Sequence, residues 1–368
     1  MNAPWSERPL VQLSRGGGPS VHRYYDVPIE EPGGGRLVYF EFDDETIPCP
    51  GTVLACDGDG SNVCRVGRAE HAIGHIGAGH AWLGRGRIGY CPHKPPPTIT
   101  RIIQLDEGTC RDIDIEVRSF DPITGLGIAH RQLHELSSNV ADPRRALLSW
   151  NVTTDEVRPI VDIDTIMKAH PLGDRCDHDL LRLQNPKWSP DGQRLFAVLT
   201  NERAVRTAEG AGHPPVNIKS LVLVDADGSN LKYLGEFGHH PMWAPSGRYL
   251  IAHNPRPDGD GQDLVRFPLD GGRPEPLIEH FIGIHSSLDS GEKRVLTDAF
   301  DHPEAGDGSV LLYDVDAGRR EVLARGGHEK RDHQSGTHIH PVFARDENRI
   351  FFNHAASGWP QLYALSLI

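Results

Sequence analysis

Long apolar runs are missing from this sequence. No stretch of about 18 apolar residues occurs, so no membrane-spanning helix is expected. Cysteine is sparse, and its spacing suggests no pairs. The six cysteines (Cys49, Cys56, Cys64, Cys91, Cys110 and Cys176) form no C-x-x-C pair and fall far below the density of a disulfide scaffold. Free thiols in a reducing compartment are the expectation. The opening stretch, MNAPWSERPLVQLSRGGG, lacks the apolar core of a secretory signal, which leads to an expected cytoplasmic location. Positive charge is in deficit: 38 Lys+Arg face 51 Asp+Glu, a formal charge of −13. Nucleic-acid affinity rests on cations that neutralise phosphates, so no nucleic-acid partner is expected. No G-x-S-x-G elbow, Walker loop or H-E-x-x-H motif is present.

What the sequence does have is turn residues and a repeat. Gly (40) and Pro (29) are enriched in the 368 residues, and hydrophobic residues make up 38%, enough for a folded, turn-rich chain. The clearest unit, NPKWSPDGQRLFAVL from Asn185, returns as HPMWAPSGRYLIA from His240. Weaker copies start at His285 (HSSLDSGEKRVLTDAF) and His340 (HPVFARDENRIFFNHA). Each is a short apolar strand, a Pro/Asp/Gly turn and a second apolar strand, the chemistry of a tight hairpin. A second hairpin follows most copies, as in SLVLVDADGSNLKYL from Ser220 and SVLLYDVDAGRREVL from Ser309. Four strands every 45–55 residues is the period of a β-propeller blade. The expected fold is all-β: a seven-bladed β-propeller forming a single domain over 1–368. Its blades fall roughly at 20–68, 71–117, 118–165, 178–236, 237–280, 281–326 and 333–368. A strand at 9–14 is expected to join the last blade and close the ring, which removes exposed sheet edges. The stretch DTIMKAH from Asp164 is a candidate short helix inside an inter-blade loop.

The chain has 21 histidines, and their register is more informative than their number. Aligned on the bulky residue before each turn (Trp188, Trp243, Leu288, Phe343), the residue three places earlier is Asn185, His240, His285 and His340. The first strand of a propeller blade lines the central channel, so three successive blades present imidazoles near one mouth. His338 is two residues before His340 and so faces the same side of the strand. Imidazoles at this density suit a transition metal. Gln334 can add an oxygen ligand, and oxygen beside several imidazoles favours Mn²⁺ over a thiolate-type zinc site. His80 reads as either a substrate contact or a loop histidine.

At these residues the sequence resembles the oligogalacturonate lyases, well over 180–368 and loosely before that. Their Gln-x-x-His-x-His-Pro strand resembles Gln334-SGT-His338-Ile-His340-Pro341, with one extra residue that puts Ser335 in the expected glutamine slot. The resemblance implies a metal held by His285, His338, His340 and Gln334, with Mn²⁺ the expected ion, and His240 as the catalytic histidine. It also implies an arginine before the DGSN turn, where this chain offers Lys219. Lysine does not replace a bidentate guanidinium on a carboxylate, so the metal constellation can persist while the substrate changes. The expected substrate contacts are Lys219, His80 and Asn185. The implied activity is a carbon–oxygen lyase that cleaves uronic-acid-containing oligosaccharides by β-elimination. Two other readings stay open: a TolB-like propeller that binds a protein or glycan at the channel mouth without catalysis, and a different glycan-active propeller enzyme using a histidine acid/base.

Overall fold

Seven four-stranded antiparallel sheets make up the described chain. The structure, a computed structural model, describes residues 8–93, 99–121, 126–130, 146–202, 205, 216–300, 308–326, 338–355 and 358–368. The chain divides into two compact units, Met1–Asp114 with Phe281–Ile368, and Ile115–His280. No helix among the described residues is long and apolar enough to cross a membrane.

The first unit holds four sheets. One comprises β2 (Ser20–Val21), β3 (Arg36–Phe42), β4 (Cys49–Asp57) and β5 (Cys64–Ala72). The next comprises β6 (Ala81–Trp82), β7 (Arg87–Tyr90), β8 (Thr100–Gln104) and β9 (Thr109–Ile113). A third is built from β22 (Ser287–Leu288), β23 (Arg294–Ala299), β24 (Ser309–Asp314) and β25 (Arg319–Ala324). In the fourth, β26 (Val342–Phe343), β27 (Arg349–His354) and β28 (Gln361–Ser366) are joined by β1 (Leu10–Gln12), whose Val11 pairs with Ala364.

The second unit holds three sheets. These are β10–β13 (Glu116–Asp121, Leu126–His130, Ala146–Asn151, Val157–Asp162), β14–β17 (Arg182–Trp188, Arg194–Thr200, Lys219–Asp225, Lys232–Glu236) and β18–β21 (His239–Trp243, Tyr249–Pro255, Gln262–Pro268, Glu275–Ile278). The candidate helix is real but short. α1 (Ile163–Ala169) is capped by Asp162, whose side chain accepts from the Thr165 amide, and it buries Ile163, Ile166 and Met167.

The repeated turns fold alike because their sequences are alike. In both DGSN copies the aspartate (Asp59, Asp227) accepts from the serine amide two residues on, and the glycine (Gly60, Gly228) is left-handed. The asparagine of each copy (Asn62, Asn230) then donates at 2.6 Å to the aspartate that ends the preceding strand, Asp57 or Asp225. Between the hairpins, apolar faces bury Phe40, Phe42, Ile88 and Tyr90 in the first unit. Phe196, Leu223, Leu250 and Phe267 are buried in the second.

The histidine register has a backbone counterpart. Asn185, His240 and His340, placed in one register by the sequence, all have left-handed φ (46°, 52° and 47°), and each precedes a proline. A non-glycine residue in this region is uncommon and strained, more so before proline. In β14 and β18 the residue sits at a bulge, where the ladder shifts between Gln184 and Lys187 and between His239 and Met242. A bulge re-aims a side chain, and here it re-aims Asn185 in β14 and His240 in β18.

Candidate metal centre

In the first unit, four imidazoles and two phenols meet. Three come from the loop and strand starts that the repeat positions: His285 before β22, and His338 and His340 before β26. The fourth, His75, lies in the β5–β6 connection, where Ile73 and Gly77 form an isolated bridge. Ring centroids are 4.3 Å apart for His75–His338, 4.8 Å for His75–His340 and 4.4 Å for His285–His340. Tyr24 packs on the cluster, 4.5 Å from His340 and 5.6 Å from His285, and Tyr25 lies 5.0 Å from His285.

A buried carboxylate organises this group. Asp298, on β23, accepts the His285 Nδ1–H at 2.9 and 3.0 Å and the backbone amides of His285 and His340 at 3.0 Å each. Burial pushes the Asp298 pKa up, but the His285 ring and these donated hydrogen bonds outweigh it and hold the group below its ordinary value. With Nδ1 committed to Asp298, His285 presents Nε2 as its other nitrogen, the arrangement of a carboxylate–histidine pair behind a metal. Burial, and then the neighbouring imidazoles His285, His75 and His338, drive His340 well below 6.5, so it is neutral with a lone pair to give. Both of its ring nitrogens are buried without a hydrogen-bond partner. His22 fixes the same strand from behind: its Nε2–H donates to the His340 carbonyl at 2.7 Å, and burial lowers its pKa to about 4. Asn353 ties the segment down, accepting from the His22 amide and donating to the His338 carbonyl, both at 3.0 Å.

The donor set fits a metal ion. The ligand atoms of His75, His338 and His340 lie within 4.8 Å of one another, and an orphaned buried imidazole such as His340 costs free energy unless something accepts its lone pair. His75 joins the expected His338 and His340 in this set, and His285 packs 4.4 Å from His340 with Nδ1 tied to Asp298 and Nε2 as its other nitrogen. Gln334 lies outside the described residues. Without its oxygen, the described donors are imidazoles only, a set that suits Zn, Cu, Fe or Ni at least as well as manganese.

The remaining expected residues are placed as follows. His80 is buried (1% exposed) beside Phe40 and Gly77, which leaves it almost no surface to offer a substrate. Asn185 is exposed at its bulge in the second unit. Lys219 lies 3.7 Å from the Glu202 carboxylate and 5.8 Å over the Phe237 ring. His240 belongs to the second unit, in a group with His239 and His253 whose ligand atoms also lie within 4.8 Å of one another. Its Nδ1 is 2.7 Å from Nδ1 of His239. Sequence reasoning did not place His75 in this cluster, and it missed Asp298 and His22. The one visible signal among them was Asp298, a lone acid inside the apolar strand RVLTDA.

A histidine–serine pair in the second unit lacks the polarity of a base and its nucleophile. His170 Nε2 is 3.0 Å from the buried Ser220 hydroxyl, but His170 Nδ1 accepts from the Leu172 amide. That tautomer puts the proton on Nε2, so His170 donates to the serine and cannot act as its base.

No family model matches the chain, and no curated protein matches it. Solved structures do. They define the fold as an all-β propeller, and among them are oligogalacturonate lyases. One such lyase in complex with manganese aligns over 99% of this chain and 94% of its own, with a TM-score of 0.70 at 15% identity. Oligogalacturonate lyase from Vibrio parahaemolyticus aligns over 98% and 94%, with a TM-score of 0.69 at 13% identity.

Proposed function

We propose that this chain is a metal-dependent lyase that cleaves uronic-acid-containing oligosaccharides by β-elimination. The observation that carries the reading is the buried, neutral and unpartnered His340 imidazole, clustered with His75 and His338 and backed by the Asp298–His285 pair. The likeness in fold to oligogalacturonate lyases, one of them in complex with manganese, supports the substrate class and manganese as the ion. The reading keeps the finer architecture too: one domain, a seven-bladed ring closed by β1 on β28, in a cytoplasmic protein that acts on imported oligosaccharides.

His285, His338 and His340, with His75 beside them, would hold a divalent cation, which would supply positive charge toward a uronate carboxylate and so acidify the neighbouring C5–H. The chain's own residues do the rest. Asp298 fixes the His285 tautomer and the backbone of His340, and burial keeps His340 neutral. His240 is the base: a neutral imidazole takes the C5 proton, the C5–H electrons form the C4–C5 double bond, and the C4–O bond breaks. No water is consumed. Lys219 and Asn185 are the contacts assigned to the sugar.

The test has two stages. Untagged protein is assayed for bound transition metal, then offered uronate oligosaccharides while the ultraviolet absorbance of the unsaturated product is followed. About one ion per chain and a rising absorbance are expected. Absence of metal after reconstitution with Mn²⁺ or Zn²⁺ would sink the reading.

A further inference from the structure

Adjacent residues on a strand point to opposite faces, yet the rings of His239 and His240 meet, with centroids 4.8 Å apart and the two Nδ1 atoms at 2.7 Å. The left-handed φ of His240 and the bulge between His239 and Met242 account for this, because they turn the second ring back onto the first. Both sides of the bulge are pinned. Pro241 offers its carbonyl to the Lys187 ammonium at 2.7 Å, and Trp243 Nε1 donates back to the Lys187 carbonyl at 3.0 Å. On the other side, the Gly238 amide donates to the His253 carbonyl and the Asn254 side chain, both at 3.0 Å. A Cβ on Gly238 would meet that carbonyl at 2.3 Å, so only glycine allows the approach. His239 itself pairs across the ladder with His253, a fully buried residue whose ring is 4.7 Å away. This is an expensive way to bring two imidazoles into contact.

Two nitrogens 2.7 Å apart share one proton: two bare lone pairs repel, and so do two N–H groups. In the neutral pair, the ring that donates from Nδ1 keeps a bare Nε2, and the ring that accepts carries its proton on Nε2. The two rings therefore cannot both be bases at Nε2. We propose that His239 is the positioning residue of His240: its Nδ1 accepts the Nδ1–H of His240, which commits His240 to the tautomer with a bare Nε2. This inference rests on the assignment of His240 as base. The polarity also suits proton uptake. When His240 gains a proton on Nε2, it still donates from Nδ1, now as a charge-assisted bond to a neutral acceptor. With the opposite polarity, Nε2 of His240 would already carry a hydrogen and have no lone pair to offer.

The test reads the tautomer directly and needs no substrate. Protein carrying ¹⁵N-histidine is compared as wild type, His239→Leu and His239→Asn, because the asparagine Oδ1 can take the acceptor place of a histidine Nδ1. In wild type the His240 Nε2 resonance should be that of an unprotonated ring nitrogen. It should move toward the tautomer average in His239→Leu and return in His239→Asn. Turnover should fall about 10- to 100-fold in His239→Leu with KM little changed, and recover largely in His239→Asn. A protonated His240 Nε2 in wild type, or a tautomer indifferent to His239→Leu, overturns the proposal. So does a metal ion bound in wild type and lost on His253→Ala, because the three rings would then be ligands. A correct tautomer in a protein with no lyase activity leaves the dyad standing and removes only the base assignment. Activity with an indifferent tautomer does the reverse.

Discussion

Each unit of the chain brings three histidines within ligand distance of one another, one of them fully buried in each case, and the two groups satisfy themselves differently. In the first unit a carboxylate, Asp298, takes the Nδ1–H of His285 and two backbone amides, and leaves both nitrogens of His340 unpartnered. In the second, the imidazoles of His239 and His240 are partners to each other. The same residue type at the same density thus has two chemical uses. A buried imidazole with both nitrogens unpartnered, as in His340, calls for a cation, whereas lone pairs shared through a hydrogen call for a proton. Counting histidines does not separate the two cases; following each nitrogen to its partner does.

The sharpest way to break this comparison is to remove the buried histidine from each group. His340→Ala should abolish metal binding, while His253→Ala should leave metal content at the wild-type level. Elemental analysis of the two purified variants decides it, and equal losses would erase the distinction.

Acid should separate the units next. In metal-free protein, His22, His80 and His340 of the first unit are held neutral by burial, all with pKa below 6.5, His22 at about 4. Between pH 6.5 and 4 the unfolded chain binds a proton at the His22 position and the folded chain does not, so stability falls as pH falls through this window and is complete above it. His22 alone accounts for on the order of 3 kcal/mol. Hydrogen exchange near pH 5 should therefore open the first unit before the second. The reverse order would mean that these rings find proton acceptors when acid arrives.

A smaller effect is expected from Asp298→Asn. The amide keeps the shape and can still accept one hydrogen bond, but it loses the charge that orients His285. Metal affinity should drop about 10- to 100-fold, the usual cost of losing such a partner. Competition with a chelator measures it, and an unchanged affinity would make Asp298 a purely structural acid.

Repeat register made much of this readable in advance. Four positions aligned three residues before a bulky turn residue predicted that Asn185, His240, His285 and His340 lie in or just before a strand, and the left-handed backbone at Asn185, His240 and His340 is the physical form of that alignment. Turns were legible for the same reason, since Asp-Gly-Ser-Asn folds by its own side-chain hydrogen bonds. His75 was not legible: it lies in a connection outside the repeat, and its place depends on the Ile73–Gly77 bridge and on packing against His338. His22 likewise follows a two-residue strand with no pattern of its own. The division into two compact units has no compositional mark. The tautomer constraint at His239 was hidden because strand alternation places neighbours on opposite faces, and only the bulge reverses that.

Lys187 tests how firmly the second unit's arrangement is held. Its ammonium is nearly buried, donates to the Pro241 carbonyl at 2.7 Å and lies 5.6 Å over the Phe196 ring. Lys187→Met keeps the aliphatic stem and removes the charge. Loss of a charged hydrogen bond costs about 1.5–3 kcal/mol, but relief from burying an ammonium returns part of it, so the net destabilisation should be about 1 kcal/mol by chemical denaturation. The larger consequence should be local. With the carbonyl after His240 released, the left-handed bulge loses one of its two anchors, and the His240 ring should show broadened ¹⁵N resonances while metal content in the first unit stays constant. Sharp, unshifted His240 resonances in this variant would mean that His239 and Gly238 hold the ring by themselves and that the lysine serves only the packing between neighbouring sheets.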